Sequence, residues 1–186
     1  MHQAPVDLWT IPLTDPRPLI LNSEEAARAA RFRFEEDRIR WSRSRAALRS
    51  ILATYIAGIP EALEFTYSAN GKPSLAGTGI EFNLSHAGDF AMVAVTMAAP
   101  VGVDIERIRE KIEIADLLRR LGETDLPDGL PELYARWTLR EARTKAAGGQ
   151  LFVPTSANIC SIHVPAPEGY SASIALVGFR PVLNTR

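Results

Sequence analysis

The sequence contains a single cysteine, Cys160, among 186 residues. This scarcity excludes a disulfide framework within the chain and a cysteine-rich zinc site. The sequence also lacks any run of about 18 apolar residues, so we expect no helix that spans a membrane. Residues 1–13 have no basic stretch ahead of an apolar run, which is unlike a signal peptide. We therefore expect a protein of the reducing cytoplasm with no membrane partner.

The sequence lacks an excess of either sign of charge, since its formal net charge is only −1, but the charges are unevenly distributed. Residues 17–49 contain nine arginines and five acidic residues, whereas residues 104–132 contain nine acidic and five basic ones. This asymmetry suits a site where an anionic ligand meets a cation, although two solvated helical surfaces would give the same counts. The near-neutral total, with acids interleaved among the arginines, argues against a nucleic-acid partner.

Hydrophobic periodicity and turn residues predict a mixed α+β fold. Helices are predicted between Asn22 and Gly58, in two pieces separated near residues 35–37, and then at 114–121 and 131–148. Strands are predicted at 6–11, 63–67, 80–84, 90–96 and 101–106, and two more strand-like runs lie between 159 and 182. Because one group of helices and strands is followed by another, we expect two related halves, residues 1–100 and 101–186.

The segment VGVDIE at 101–106 combines a strand pattern with two acidic side chains. Alternation places the three apolar side chains on one face of the strand. Asp104 and Glu106 fall on the other face, roughly 6.5–7 Å apart at the backbone. Two carboxylates this close can share one hard cation, and Mg²⁺ with a substrate phosphate is the best match. The alternative is an ordinary half-exposed strand with its acidic side chains in water.

A second group of polar side chains follows in WTLREARTK at 137–145. At helical spacing Trp137, Glu141 and Lys145 fall at i, i+4 and i+8 and form one stripe. Glu141 can then supply a third metal ligand or a base, and Lys145 a phosphate contact. A solvated pair is the alternative, because Glu four residues before Lys is the favoured orientation on a helix surface. The large aromatic side chain on the same stripe favours a covered face.

A third pattern, FNLSHAGD at 82–89, runs from a strand into a turn of small residues. It presents the Ser85 hydroxyl, the His86 imidazole and main-chain N–H groups, a set that can bind a phosphate or an oxyanion. A Ser/His nucleophile pair is the competing interpretation. We disfavour a hydrolase, because adjacent residues at a strand end point in different directions and no G-x-S-x-G elbow is present. Lys72, in the turn NGKP at 70–73, indicates little by itself.

In this order the patterns resemble the 4′-phosphopantetheinyl transferase superfamily. The matching segments are GKP at 71–73, FNLSH at 82–86, VGVDIE at 101–106 and WTLREA at 137–142 with Lys145. The early segments RAARF at 28–32 and DR at 37–38 are also similar. The length resembles the larger, surfactin-synthetase-activating type rather than the shorter, trimeric holo-acyl-carrier-protein synthase type. The resemblance implies a monomer of two similar α+β halves, a pseudo-dimer, with the site at their interface.

The resemblance also implies Mg²⁺-dependent transfer of 4′-phosphopantetheine from coenzyme A to a serine of an acyl or peptidyl carrier protein, releasing adenosine 3′,5′-bisphosphate. Asp104, Glu106 and Glu141 resemble the metal ligands. Glu141, Lys145 and His86 resemble the catalytic residues, with Glu141 as the general base and Lys145 at the pyrophosphate. The residues that resemble coenzyme A contacts are Arg28, Arg40, Lys72, Ser85, His86 and Lys145. The basic early segment is then expected to face the phosphates, and the acidic one to hold the metal.

Two other interpretations stay open at this point. A catalytically impaired relative would bind coenzyme A or a carrier protein without transferring the arm. The residues whose loss would signal this, Asp104, Glu141 and Lys145, are all present. A two-carboxylate metal phosphodiesterase would carry a His/Asp cluster with metal-ligand spacing, which the sequence lacks. Tyr67 stands where the family often has a basic residue, so we expect part of the grip on coenzyme A to differ.

Overall fold

The computed structural model describes residues 2–16, 18–110, 112–149 and 158–186, and within them the chain forms four α-helices and nine β-strands. The helices are α1 (Ser23–Ala29), α2 (Glu35–Ile56), α3 (Ile112–Arg120) and α4 (Leu130–Ala146), and a 3₁₀ turn covers Pro60–Ala62. The strands are β1 (Gln3–Pro12), β2 (Thr66–Tyr67), β3 (Pro73–Ser74), β4 (Glu81–Ala87), β5 (Phe90–Thr96), β6 (Val101–Arg107), β7 (Ile159–His163), β8 (Tyr170–Val177) and β9 (Arg180–Thr185). The predicted mixed α+β fold is confirmed.

Two main sheets organise the chain. The first has the order β4-β5-β1-β9, in which β1 runs antiparallel to β5 and parallel to β9. The second has the order β6-β8-β7 and is antiparallel. β2 and β3 form a separate hairpin. The last strand described therefore joins the sheet that the first strand began, so β9 crosses the boundary predicted between residues 100 and 101.

The apolar faces of the two sheets pack against each other. Val6 and Met92 of the first sheet share a buried cluster with Val101, Val103 and Ile105 of β6. The predicted alternation along β6 is confirmed, because these three side chains enter the core while those between them point to the opposite face. Full burial of such a side chain contributes about 1.5–3 kcal/mol, so this core holds the two sheets together.

One long helix covers the outer face of each sheet. α2 packs Leu48 and Leu52 against Phe82 of the first sheet, and α4 packs the small side chains of Ala142 and Ala146 against the second. The layers follow the order α2, first sheet, second sheet, α4. The edge strands β4 and β6 are in contact. Side chains from both sheets therefore meet beside α4, and this junction is where the predicted site residues lie.

Some element boundaries differ from the predicted ones. The break between the first two helices lies at residues 30–34, and residues 35–37 form the acidic first turn of α2, which suits the positive end of the helix dipole. The strand predicted at 63–67 shrinks to Thr66–Tyr67, and the two runs predicted between 159 and 182 become three strands. Arg17, the first arginine of the basic segment, lies outside the described residues. Within those residues, no helix is long and apolar enough to cross a membrane.

Candidate active site

Lys145 of α4 contacts two residues that belong to different strands. Its ammonium nitrogen lies 2.7 Å from Oδ1 of Asp104 on β6 and 3.0 Å from the hydroxyl of Ser85 on β4. Ser85 donates to the same Asp104 oxygen at 2.9 Å, and Lys145 also donates to the carbonyl of Val103 at 3.3 Å. Three of the predicted site residues are therefore in contact where α4 meets the two sheets.

Asp104 is buried beneath α4, with 3% of its surface exposed. Loss of water raises the pKa of its carboxyl group, while the Lys145 charge and the hydrogen bonds from Lys145 and Ser85 oppose that rise. Its second oxygen, Oδ2, is buried and has no hydrogen-bond partner in the described part of the chain. The alternative of a half-exposed acidic strand is wrong for Asp104. Its unpaired oxygen is a favourable place for a cation or a further donor.

Glu141 lies one helical turn before Lys145 and is half-buried. Burial raises the pKa of its carboxyl group, and the nearby Asp104 carboxylate adds to the rise, while Lys145 and Arg140 oppose it. Asp104 is thus close enough to disfavour the negative charge of Glu141. Trp137 on the same stripe is buried, so the predicted covered face is confirmed.

Oxygen donors suited to a divalent cation come from Asp104 and Glu106 on β6 and Glu141 on α4. Carboxylates are ligands that Mg²⁺ prefers, and the unpaired Oδ2 of Asp104 suits such an ion. Among the described residues, however, no three His, Cys, Asp or Glu side chains are grouped closely enough to hold a metal. The ammonium group of Lys145 balances the buried charge of Asp104 instead. The donor chemistry fits Mg²⁺, and the three-ligand set stays a prediction.

A cavity of about 330 Å³ opens beside the end of β6, where Glu106 lines it. Its lining includes His86 and Glu106, so two further predicted site residues face one space, together with Trp137. Arg107 and Arg109 add positive charge to the same lining. The volume falls within the range of small-molecule sites, and the mixture of cations, a carboxylate and an aromatic ring suits a charged ligand with an apolar part.

His86 is exposed at the end of β4, although the protein around it still removes part of its hydration. This loss of water, followed by the positive charges of Lys145 and Arg40, lowers the pKa of His86, while Asp37 opposes the change. A neutral imidazole has one donor and one acceptor nitrogen. His86 and Arg40, two of the predicted coenzyme A contacts, are therefore close enough to interact electrostatically at this end of the site.

The turn that follows β4 is held by the second sheet. The main-chain N–H of Asp89 donates to the Tyr170 hydroxyl at 3.1 Å, and the Tyr170 ring meets Phe90 edge-on with centroids 5.1 Å apart. Gly88 has a φ of 51°, which favours glycine, and a Cβ there would lie 2.6 Å from the Tyr170 hydroxyl, so a larger residue would displace that side chain. The Asp89 carboxylate also accepts from Arg40 at 3.3 Å. Sequence reasoning missed Tyr170, since no local pattern marks a partner 81 residues away.

The ammonium group of Lys72 donates hydrogen bonds to main-chain carbonyls. Its ammonium nitrogen donates to the carbonyl of Val101 at 2.9 Å and to that of Lys145 at 3.2 Å. Two residues earlier, Asn70 donates to the carbonyl of Gly148 at 2.8 Å. Burial lowers the pKa of Lys72. The predicted contact between Lys72 and coenzyme A is not tested by these bonds, but the ammonium group already joins the start of β6 to the end of α4.

Arg28 lines a different cavity, of about 220 Å³, whose walls include Trp41, Phe65 and Tyr67. Its guanidinium carbon lies 5.3 Å from the centre of the Trp41 ring, a cation–π distance. The linings of this cavity and of the cavity beside β6 share no residue. The predicted coenzyme A contacts therefore fall in more than one place, with Arg28 apart from His86.

Two arginines of the basic segment are structural. Arg45 and Arg49 both pair with Glu25, Arg49 through its Nε at 2.5 Å. Arg49 is fully buried, and its Nη1 donates to the carbonyls of Pro60 at 2.7 Å and Leu63 at 3.1 Å. The expectation that the whole segment faces phosphates is wrong for these two residues, because both are buried and pair with the Glu25 carboxylate where α1 packs on α2.

α4 approaches β6 closely at Gly102, a residue whose role the sequence did not reveal. A Cβ there would lie 2.1 Å from the carbonyl oxygen of Ala142 and 2.5 Å from the amide nitrogen of Ala146. Because both are main-chain atoms, any larger residue would push the helix away from the strand. Gly102 thus sets the distance across which Lys145 reaches Asp104.

Comparison with known proteins points to one family. A family model described as 4′-phosphopantetheinyl transferase, N-terminal, matches residues 18–98. The chain is 37% identical over 162 residues to the 4′-phosphopantetheinyl transferase HetI of Nostoc sp., a match that covers 77% of this chain and 68% of HetI. It is 34% identical over 134 residues to the 4′-phosphopantetheinyl transferase psf-1 of Bacillus pumilus, which covers 67% of this chain and 57% of psf-1. It is 32% identical over 135 residues to the 4′-phosphopantetheinyl transferase AcpT of Salmonella typhi, which covers 67% of this chain and 66% of AcpT.

Proposed function

The chain belongs to the 4′-phosphopantetheinyl transferase family, and we propose that it transfers the 4′-phosphopantetheine arm of coenzyme A to a serine of an acyl or peptidyl carrier protein. The other product is adenosine 3′,5′-bisphosphate. Relatives that carry the name of this transferase support the reaction class. The geometry around Lys145 supports the residues assigned below.

The contact of Lys145 with both Asp104 and Ser85 is the observation that carries this proposal. Phosphoryl transfer needs positive charge and aimed donors at the phosphates more than it needs covalent chemistry. Lys145 supplies the cation, Ser85 a hydroxyl and Asp104 a buried carboxylate, each from a different element. An ammonium group has three donors, so Lys145 can keep one on Asp104 and exchange its longer bond to the Val103 carbonyl for a phosphate oxygen.

We propose Mg²⁺ as the cofactor, with Asp104, Glu106 and Glu141 as the residues that would hold it. The support is the Asp104 Oδ2 atom, buried and without a donor in the described ranges. Further support comes from the Asp104 carboxylate, which adds to the raised pKa of Glu141, because a cation near two such carboxylates would relieve their repulsion. When bound, such an ion would neutralise charge on the pyrophosphate oxygens.

In the proposed step, the carrier serine attacks the phosphorus atom that bears the pantetheine arm. A bond forms between the serine oxygen and this phosphorus, and the bond from the phosphorus to the bridging pyrophosphate oxygen breaks. Glu141, the carboxylate one helical turn before Lys145, accepts the serine proton as the general base. Lys145 donates to the phosphate of the leaving group, which departs as adenosine 3′,5′-bisphosphate.

The other proposed contacts grip the rest of coenzyme A. Ser85, His86 and Arg40 would face the phosphates nearest the reacting centre, supported by the electrostatic proximity of Arg40 and Lys145 to His86. Arg28 would contact the 3′-phosphate, which the ligand carries far from its pyrophosphate. Exposed ionic contacts are screened over about 8–10 Å near physiological salt, so this part of the grip should weaken as ionic strength rises.

We also propose the larger, surfactin-synthetase-activating type, a cytoplasmic monomer whose halves, residues 1–100 and 101–186, form a pseudo-dimer with the site at their interface. In support, each half contributes one main sheet covered by one long helix. The exception is β9, which comes from the second half and pairs with β1 of the first. An unpaired Cys160 fits a reducing compartment.

Incubating the protein with a panel of apo carrier proteins, coenzyme A and Mg²⁺ tests the proposal. The expected result is a carrier heavier by one phosphopantetheine arm, with no increase when EDTA is added or when the carrier serine is changed to alanine. Coenzyme A binding with no mass increase on any carrier would indicate the catalytically impaired relative instead. Cleavage of coenzyme A without modification of a carrier would favour a metal phosphodiesterase.

A further inference from the structure

The turn at residues 68–73 is tied to the end of α4 by two side chains. Lys72 Nζ donates to the carbonyl of Lys145 at 3.2 Å, and Asn70 Nδ2 donates to the carbonyl of Gly148 at 2.8 Å. The same ammonium group donates to the first residue of β6 at 2.9 Å. One short turn between β2 and β3 therefore contacts both elements that carry the Lys145–Asp104 pair.

We propose that Asn70 and Lys72 are positioning residues, which hold the last turn of α4 and thereby aim the ammonium group of Lys145 at Asp104. This inference rests on the transferase function proposed above and deepens it. It assigns Lys72 an action through the main chain of Lys145 rather than at a phosphate of coenzyme A.

The turn is fixed well enough to act on the helix. The main-chain N–H of Gly71 donates to the carbonyl of Ser68 at 2.8 Å, and the N–H of Ser68 donates to the carbonyl of Lys72 at 3.0 Å. The N–H of Lys72 also donates to the Ser68 hydroxyl at 3.1 Å. Gly71 has a φ of 78°, which favours glycine, and β2 pairs with β3 on either side. The two donors therefore project from a closed hairpin end.

The end of α4 is where such donors have most effect. The last four carbonyls of a helix lack partners within it, and they form the negative end of the helix dipole. The carbonyl of Lys145 is one of these; it accepts from the N–H of Gly148, just after the helix, and from the ammonium group of Lys72, each at 3.2 Å. On the opposite side, Gly102 brings β6 against Ala142 and Ala146. Lys145 thus lies on a helix turn held from two directions.

The contacts of Lys72 argue against a second role in which its side chain moves to bind a phosphate of coenzyme A. Its side chain is half-buried, and burial lowers its pKa. Turning toward a ligand would break both of its hydrogen bonds, to the carbonyls of Val101 and Lys145. Asn70 makes the parallel bond without any charge, so attraction to phosphate gives no account of its contact with Gly148.

Lys72→Met and Asn70→Ala test this proposal, with Ser74→Ala as the matched control. Ser74 lies in the same hairpin, where its hydroxyl is 2.8 Å from that of Thr66, and this bond stays within the hairpin. We expect Lys72→Met to lower kcat about tenfold or more, because small misplacements of an aimed group are costly. Asn70→Ala should act in the same direction, and the double variant should lose less than the product of the single losses. Ser74→Ala should leave turnover unchanged.

The preference for coenzyme A over 3′-dephospho-coenzyme A separates positioning from direct contact. Positioning predicts that Lys72→Met leaves this ratio unchanged. A reduced preference together with an unchanged kcat would overturn the proposal and make Lys72 a contact of the 3′-phosphate. An Asn70→Ala variant with unchanged kcat would also overturn it, because the hydrogen bond from Asn70 to Gly148 would then have no effect on transfer.

Amide hydrogen exchange across residues 142–149 tests whether Asn70 and Lys72 hold the end of α4, and it does not depend on transferase activity. We expect exchange about fivefold faster or more in Lys72→Met and Asn70→Ala, and no change in Ser74→Ala. Unchanged exchange in both variants would overturn the proposal. Should the wild-type protein transfer nothing to any carrier, the proposed function fails while this measurement still decides whether the turn holds α4. Asn70 is exposed, so its variant keeps the test available if Lys72→Met does not fold.

Discussion

The Nζ atom of Lys145 and the Oδ1 atom of Asp104 lie 2.7 Å apart, and this ion pair joins α4 to the edge strand β6. The aspartate side chain is almost fully buried, whereas 27% of the lysine side chain is exposed. The pair is therefore open on the lysine side, from which a phosphate can approach the ammonium group while the carboxylate stays fixed. Such a preorganised cation needs little rearrangement when charge develops during transfer.

Lys145→Met should lower the transfer rate by about 100-fold or more, because a donor aimed at the reacting phosphate is lost. It also leaves the buried Asp104 carboxylate without its cation, so we expect the free energy of unfolding to fall by about 1–3 kcal/mol. Asp104→Asn should abolish transfer at a smaller cost in stability, since a neutral amide avoids the buried charge. Carrier mass and urea unfolding measure the two effects. Wild-type turnover in Lys145→Met would reduce the pair to a structural contact.

Gly102→Ala should destabilise the protein by about 1–3 kcal/mol or more, because the new methyl group meets main-chain atoms of α4 that cannot move independently. Transfer should fall as well, since α4 would carry Lys145 away from β6. Gly149→Ala is the matched control, because among the described residues a Cβ at that position has one neighbour within 4 Å, at 4.0 Å. Equal stability of the two variants, measured by urea unfolding, would contradict the close approach.

Local patterns were enough to anticipate the elements that carry the motifs. Alternation along β6 separates the core side chains from Asp104, because it depends only on strand geometry. Pro131 and Gly148 mark the start and end of α4 within about two residues, because both act on the backbone locally. The stripe of Trp137, Glu141 and Lys145 follows from the helical period.

Contacts between distant segments could not be anticipated in this way. Asn70 and Gly148 are 78 residues apart, and the parallel pairing of β9 with β1 depends on no local signal. The burial of Arg45 and Arg49 could not be predicted either, because an arginine in a helix has the same sequence pattern whether it is exposed or paired with a buried acid. Charge counts therefore located the basic segment but not the charges available to a ligand.

Tyr170→Phe should raise the KM for coenzyme A roughly fivefold, while kcat changes less. The substitution keeps the ring packed on Phe90 but removes the hydroxyl that accepts from the N–H of Asp89. The turn then loses its tie to the second sheet, and Arg40, which pairs with Asp89, loses a fixed partner. Steady-state kinetics at saturating carrier measure the change. An unaltered KM would show that the turn holds its shape without Tyr170.

Glu25 joins the first two helices. Its carboxylate accepts from the main-chain N–H of Asn22 at 3.1 Å, which completes the N-cap of α1, and it pairs with Arg45 and Arg49. Burial by itself would raise the pKa of Glu25, but the hydrogen bonds from Arg49 and Arg45 outweigh it and hold the pKa below the ordinary value. The folded protein therefore binds a proton at Glu25 more weakly than the unfolded chain does.

Glu25→Gln should lower the free energy of unfolding by about 3–5 kcal/mol at neutral pH, because two buried guanidinium groups lose their counter-charge. The contribution of the charged Glu25 is fully present above the ordinary pKa of a glutamate and is lost as the pH falls through the lower pKa of the folded state. The difference between wild type and variant, measured by urea unfolding, should therefore shrink on acidification. Glu35→Gln, which breaks the exposed pair with Arg38, should lower the unfolding midpoint far less than Glu25→Gln does. A difference that grows in acid would contradict the assigned sign.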